Sequence, residues 1–193
     1  MMFILKIFEC ENGSDETCDQ ILFMDDIIYI DRFIDNAEAL FEKLHATIEW
    51  DERMKARKTA SFGKAYNYSQ LNYPYRELTP ELVYIIEQLK PVIGFEPNNC
   101  LINYYTNGQS KMGYHSDQTD ILEADTGIAI ISLGATRELM FRNIKDHENV
   151  LVYKLLSGSL VYMTQGVQAE WQHAIPKSET NAGRMSLTFR CIL

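Results

Sequence analysis

Apolar and polar positions follow two rhythms along this chain, and the change falls near residue 99. Before it, Ala37, Leu40, Phe41, Leu44 and Ile48 recur at the three-and-four spacing that gives a helix one apolar stripe. Asp35, with Glu38 three positions on, reads as a capping box opening that helix. Thr79-Pro80-Glu81 announces a second helix: a cap residue, a proline where no backbone N–H is needed, and an acid against the helix dipole. Leu82, Ile85, Ile86 and Leu89 form its apolar face, and Pro91 is expected to close it.

From residue 99 the runs are short and rich in β-branched and aromatic residues: Cys100–Tyr105, Ile128–Leu133, Glu138–Phe141, Val150–Leu155, Leu160–Met163 and Ser186–Ile192. Turn pairs such as Asn107-Gly108, Gly134-Ala135 and Ser157-Gly158 separate them, so the runs read as strands. Helices early and strands late predict an α+β fold, with helices packed on one face of an antiparallel sandwich or jelly roll. Segments 51–78 and 164–183 are polar, aromatic and irregular, and are expected to frame the mouth of a site. The polar, acidic segment Cys10–Gln20 reads as a loop.

Composition narrows the class. At 193 residues, 46% hydrophobic and 23% charged, the chain fits one globular domain and not a disordered polymer. A formal charge of -9 excludes a uniformly basic nucleic-acid coat, although it leaves room for a local basic patch. The four cysteines, Cys10, Cys18, Cys100 and Cys191, form neither a CxxC pair nor a dense disulfide framework, which points to a reducing cytoplasm or nucleus and away from secretion. Met1–Leu5 is too short for a signal core, and no run approaches the ~18 apolar residues of a spanning helix. The expectation is a monomer without a membrane partner.

Histidines carry the chemistry. His45 falls inside the first helix and His147 in a charged loop, and both read as surface residues. His115 differs, because Asp117 follows at i+2 and residues two apart on an extended segment face the same side. His173, after Trp171 and before the last strand, can supply a second imidazole. Two histidines and a carboxylate make the facial triad of non-haem Fe(II) oxygenases, which leaves positions open for cosubstrate and O₂. Such an oxygenase commonly takes a small dicarboxylate, which calls for buried cationic forks. Arg184 and Arg190, six apart, share one face of the last strand and its approach. The alternative for each arginine is an internal ion pair.

These residues resemble, in order and approximate spacing, the AlkB family of 2-oxoglutarate/Fe(II)-dependent dioxygenases. Cys100-Leu101-Ile102-Asn103-Tyr104-Tyr105 is similar to the family's Leu-Ile-Asn-x-Tyr strand, and Ile131–Arg142 to a hairpin of the nucleic-acid-demethylating members. Trp171–Pro176 and Leu187–Arg190 match as well, and Arg57–Gly63 followed by Tyr66–Ser69 resembles the nucleotide-recognition lid. The resemblance implies a double-stranded β-helix, that is, a jelly-roll core. It implies Fe(II) on His115, Asp117 and His173, and 2-oxoglutarate contacts from Asn103, Tyr105, Arg184, Thr188 and Arg190. It implies a substrate surface including Arg57, Phe62, Tyr66 and Tyr68, with Tyr68 stacking on a flipped base above His115. Cations nearby, Lys55, Lys58, Lys64, Arg76, Lys111, Arg137 and Arg142, are candidates for a phosphate track.

The chain is therefore read as a single domain, 1–193, comprising an N-terminal extension and helix (1–54), a substrate-recognition lid (55–78) and a catalytic jelly roll (99–193). The implied activity is oxidative removal of N-methyl groups from DNA or RNA bases, single-stranded or locally opened, using Fe(II), 2-oxoglutarate and O₂. Two departures stand out: Thr119 occupies a position where the family has a base-recognising acid, and Arg184-Met185-Ser186 replaces Arg-x-Asn. Rival readings are the same chemistry on a protein, lipid or metabolite, or an inert module that binds modified nucleic acid.

Overall fold

A computed structural model of the chain describes residues 21–24, 26–68 and 71–193, with 21–24 and Tyr68 described by backbone alone. The expected loop Cys10–Gln20, the Met1–Leu5 run, Cys10, Cys18 and Ser69 lie outside the described residues. In chain order the elements are β1 (Ile21–Met24), β2 (Ile27–Ile30), α1 (Ala37–Thr47), β3 (Lys58–Gly63), β4 (Tyr66–Tyr68), β5 (Leu71–Tyr73), α2 (Pro80–Ile93), β6 (Asn99–Tyr105), β7 (Met112–His115), β8 (Ile128–Gly134), β9 (Arg137–Asn143), β10 (Val150–Leu155), β11 (Leu160–Met163), α3 (Gln165–Glu170), β12 (Trp171–Ile175) and β13 (Arg184–Arg190).

Sheet dominates. Seven strands form one antiparallel sheet in the order β1-β2-β11-β8-β13-β6-β3, and four form a second in the order β10-β9-β12-β7. The central strands β6 and β13 are nearly all buried because each has apolar neighbours on both faces. Their alternation sorts the two faces. Cys100 and Ile102 on β6, with Met185, Leu187 and Phe189 on β13, pack into a cluster with Leu44 of α1 and Leu82, Ile85, Ile86 and Leu89 of α2. The intervening residues, Leu101, Asn103 and Tyr105 on β6 and Arg184, Ser186, Thr188 and Arg190 on β13, line a cavity between the two sheets. A second apolar cluster, including Tyr105, Ile130, Leu139, Phe141 and Leu155, joins the sheets around that cavity.

Helix ends depart from expectation in instructive ways. The N-cap of α1 is Asn36, one position after Asp35, and no side chain caps it. The Asp35–Glu38 box does not form. In α2 the Thr79 hydroxyl accepts from the Leu82 N–H at 3.4 Å, as its sequence demanded. Pro91 does not end that helix, which runs to Ile93. A proline in the last turn sacrifices one backbone bond, and Gly94, at φ 80°, makes the turn-off with its N–H on the Lys90 carbonyl.

Both segments read as irregular contain regular structure. Residues 51–78 hold β3, β4 and β5, and 164–183 hold α3 and β12. Polar residues at buried positions hid the strand pattern: Thr59 on β3, whose hydroxyl lies 2.7 Å from the Tyr73 hydroxyl, and His173 on β12. Gly134, at φ 83°, joins β8 to β9. A Cβ there would lie 2.5 Å from the Gly183 carbonyl oxygen and 2.8 Å from the Phe41 ring. Gly134→Ala is expected to cost at least ~1–3 kcal/mol, read as a lower denaturant midpoint at unchanged slope. Among the described residues no helix is long and apolar enough to cross a membrane.

Candidate active site

Antiparallel pairing of β7 with β12 puts His115 directly opposite His173, and β9 on the far side places Phe141 against His173. The two imidazole centroids are 4.3 Å apart. Asp117, just past the end of β7, brings Oδ1 to 3.5 Å from His115 Nε2. One ligand atom from each of the three residues lies within 4.8 Å of the others, the compass of a single transition-metal ion. Residues separated by dozens of positions thus converge. His45 and His147 are exposed and take no part in this group.

The surroundings fix the protonation of each donor. His115 Nδ1 donates to the Gly113 carbonyl at 2.9 Å, which turns Nε2 towards Asp117. Burial opposes a proton on His115, but the bond to Asp117 and its charge outweigh burial and raise the pKa. Burial pushes His173 down to about 4, so it stays neutral and able to donate a lone pair above that pH. For Asp117, burial would favour the acid form. The Arg190 guanidinium, assisted by His115, overrides it and holds the carboxyl well below the usual range. Arg190 Nη2 donates to Asp117 Oδ2 at 3.0 Å, which leaves Oδ1 on the histidine side.

A second polar group lies beside the triad. Arg184 is 1% exposed, and its Nη2 donates to Ser132 Oγ at 2.8 Å. Its Nε and Nη1 find no hydrogen-bond partner, and burial pushes its pKa down to about 10. A buried guanidinium without a carboxylate is costly. The cavity that Arg184 shares with Asn103, Tyr105, Thr188, Arg190 and the triad therefore suits an anion supplied from outside. Two histidines with one carboxylate suit Fe(II), and buried, unmatched guanidinium nitrogens suit a dicarboxylate.

The lid residues fall differently from expectation. Arg57 is buried, and its Nε donates to Asn103 Oδ1 at 2.7 Å instead of facing solvent. Phe62 is 2% exposed and belongs to the cluster under α1 and α2, because its position on β3 faces the helical layer, with Arg76 stacked 4.5 Å over its ring. Tyr66 is buried with Tyr73 and Leu101, and Arg190 lies 5.2 Å over its ring. All three residues are buried. The Tyr68 side chain lies outside the description. Thr119 is half-buried in a turn closed by its carbonyl and the Leu122 N–H at 3.0 Å.

The cation track also contracts. Arg137 is buried and holds the carbonyls of Asn107, Ser110 and Pro176. Lys58 pairs with Glu52 at 2.5 Å, and Arg142 lies 4.1 Å over the Tyr114 ring. Lys55, Lys64 and Lys111 are exposed. Sequence reasoning missed Gln168, which is buried on α3 and accepts the Asp117 backbone N–H at 2.8 Å. Its six-residue helix offered too little periodicity to be seen.

The profile of the 2OG-Fe(II) oxygenase superfamily matches residues 33–190, and the chain belongs to that superfamily. Its jelly-roll core is the fold of this chain, in accord with the solved structure of OsALKBH1, which superposes with a TM-score of 0.70 at 15% identity over 89% of this chain and 99% of the other. Nearer in sequence are the alpha-ketoglutarate-dependent dioxygenase alkB homolog 3 of Bos taurus, 29% identical over 83% of this chain and 64% of that protein, and the DNA oxidative demethylase ALKBH2 of the same species, 30% identical over 81% and 65%. The human DNA oxidative demethylase ALKBH2 is 30% identical over 81% of this chain and 69% of its own length. The chain thus spans just under two thirds of the cattle relatives.

Proposed function

We propose that this chain is an Fe(II)/2-oxoglutarate-dependent oxygenase that removes N-alkyl groups from nucleic-acid bases. The observation that carries the reading is the convergence of His115, Asp117 and His173 beside the buried, incompletely matched Arg184. Relatives named for oxidative demethylation of DNA support the substrate class. His115, Asp117 and His173 would hold the iron. Arg184 would meet the distal carboxylate of 2-oxoglutarate, and Arg190 would lie near its chelating end with Asn103, Tyr105 and Thr188 alongside. When bound, metal and cosubstrate would, with O₂, supply an oxidant that hydroxylates the alkyl carbon, one oxygen atom of O₂ going to that carbon and the other to succinate as CO₂ is lost, and the hydroxylated carbon would depart as an aldehyde.

The protein's own work is positional. Arg190 keeps Asp117 ionised, the Gly113 carbonyl orients the His115 ring, and Leu139 and Leu155 give the cavity an apolar wall. A base inside a duplex cannot reach a cavity between two sheets, so it must be flipped or single-stranded. By the resemblance to the AlkB family, Tyr68 would stack on the base and Thr119 would lie near the base edge.

Incubation with Fe(II), 2-oxoglutarate and O₂ should lower the mass of oligonucleotides carrying N1-methyladenine or N3-methylcytosine by one methylene. Unchanged oligonucleotides, with succinate released on a protein or metabolite panel, would reassign the substrate. Oligonucleotide affinity should fall with salt. If Lys55, Lys64 and Lys111 each touch one phosphate of a single strand, the loss is roughly 20-fold between ~50 and ~200 mM. A flat response contradicts a nucleic-acid partner.

A further inference from the structure

Strand pairing between β7 and β12 stops at His115 and His173, yet Asp117 must be held in register with both. Two side-chain bonds continue the zipper beyond the strand ends. Ser116 Oγ donates to the Trp171 carbonyl at 3.1 Å, and Gln168 Oε1 accepts the Asp117 N–H at 2.8 Å. Gln168 is 6% exposed, and its other end is also engaged, with Nε2 directed at Met163 Sδ at 3.6 Å. That second contact sets the amide so that its oxygen faces Asp117. The same short segment carries His173 five residues later.

Asp117 is therefore gripped twice: Arg190 holds one carboxylate oxygen, and Gln168 holds the main chain. The guanidinium alone fixes charge and one oxygen, and leaves the backbone free to carry Oδ1 away from His115. We infer that Gln168 is a positioning residue for the metal site, tying the Asp117 main chain to the segment that bears His173 so that all three ligand atoms are pre-arranged for one ion. This rests on the reading of His115, Asp117 and His173 as metal ligands. Partners of this kind typically set metal affinity by 10–100-fold.

Anaerobic titration of the apo-protein with Fe(II), followed by calorimetry, separates the possibilities. Q168L keeps the volume and removes the acceptor, and is expected to weaken Fe(II) binding about 10–100-fold while thermal unfolding falls by only a few degrees. Saturating Fe(II) should restore its 2-oxoglutarate turnover to near the wild-type value, a split between metal affinity and maximal rate that general loosening would not give. Q168E retains an acceptor oxygen in reach of the N–H and should recover most of the affinity. Fe(II) affinity of Q168L within twofold of wild type overturns the inference, as does Q168E binding no better than Q168L. If Q168L does not fold, Q168E decides alone, and loss of its Fe(II) binding overturns the inference. Wild-type protein that takes up no Fe(II) overturns the metal-site reading itself, a different failure.

Discussion

H115A is expected to lose 2-oxoglutarate turnover by at least about three orders of magnitude, equivalent to about 4 kcal/mol of transition-state stabilisation. The physical reason is that a facial triad has no spare donor. Removing one imidazole leaves His173 and Asp117, and Asp117 already gives one oxygen to Arg190. The fold should survive, because His115 is partly exposed at the end of β7 and its Nδ1 contact is to a local carbonyl two residues away. Affinity for a methylated oligonucleotide should stay within a few-fold of wild type, which separates loss of chemistry from loss of binding. Succinate release by H115A within tenfold of wild type would mean that another residue completes the metal site.

R184M should move stability and cosubstrate affinity in opposite directions. In the free protein the Arg184 guanidinium is buried with two nitrogens unmatched, so replacing it with an apolar side chain of similar length removes a desolvation cost. The apo-protein is expected to be as stable as wild type or more so. Binding of 2-oxoglutarate should weaken by ~100-fold or more, since the distal carboxylate would then enter an apolar wall without its partner. Thermal unfolding with and without 2-oxoglutarate reads both effects at once. At a concentration 100 times its dissociation constant the ligand should raise wild-type stability by about 2.7 kcal/mol, and it should leave R184M nearly unmoved. A destabilised R184M that still gains from the ligand would mean that Arg184 is a structural residue.

The strand-rich half of the chain is well written in its sequence. Val150–Leu155 and Leu160–Met163 coincide with β10, which buries one face, and β11, which is buried on both, because each apolar run is bounded by turns. The His-x-Asp pair was legible because an extended segment leaves little choice of direction, and the Arg184–Arg190 spacing because its even count survives any small error in strand ends. The segment that resembles a lid carries a recognisable motif, but the burial of its residues was not legible. Phe62, Tyr66 and Arg57 carry the residue types of a substrate platform, but the layers around β3, the edge of the large sheet, bury Phe62 and Arg57, and Tyr66 on β4 packs against Tyr73 and Leu101. No local pattern reveals which side of an edge strand another layer will cover. Gln168 was invisible for a similar reason: its meaning lies in a backbone N–H that is 51 residues away in the chain.

One measurement tests the arrangement most directly. Fe(II) and 2-oxoglutarate added anaerobically to the apo-protein should produce a weak visible charge-transfer band that saturates at one equivalent of each. The band should vanish in H115A, and in R184M it should require far more 2-oxoglutarate. A wild-type protein that stays colourless with both present, or a band undiminished in H115A, would contradict a ferrous centre built by His115, Asp117 and His173.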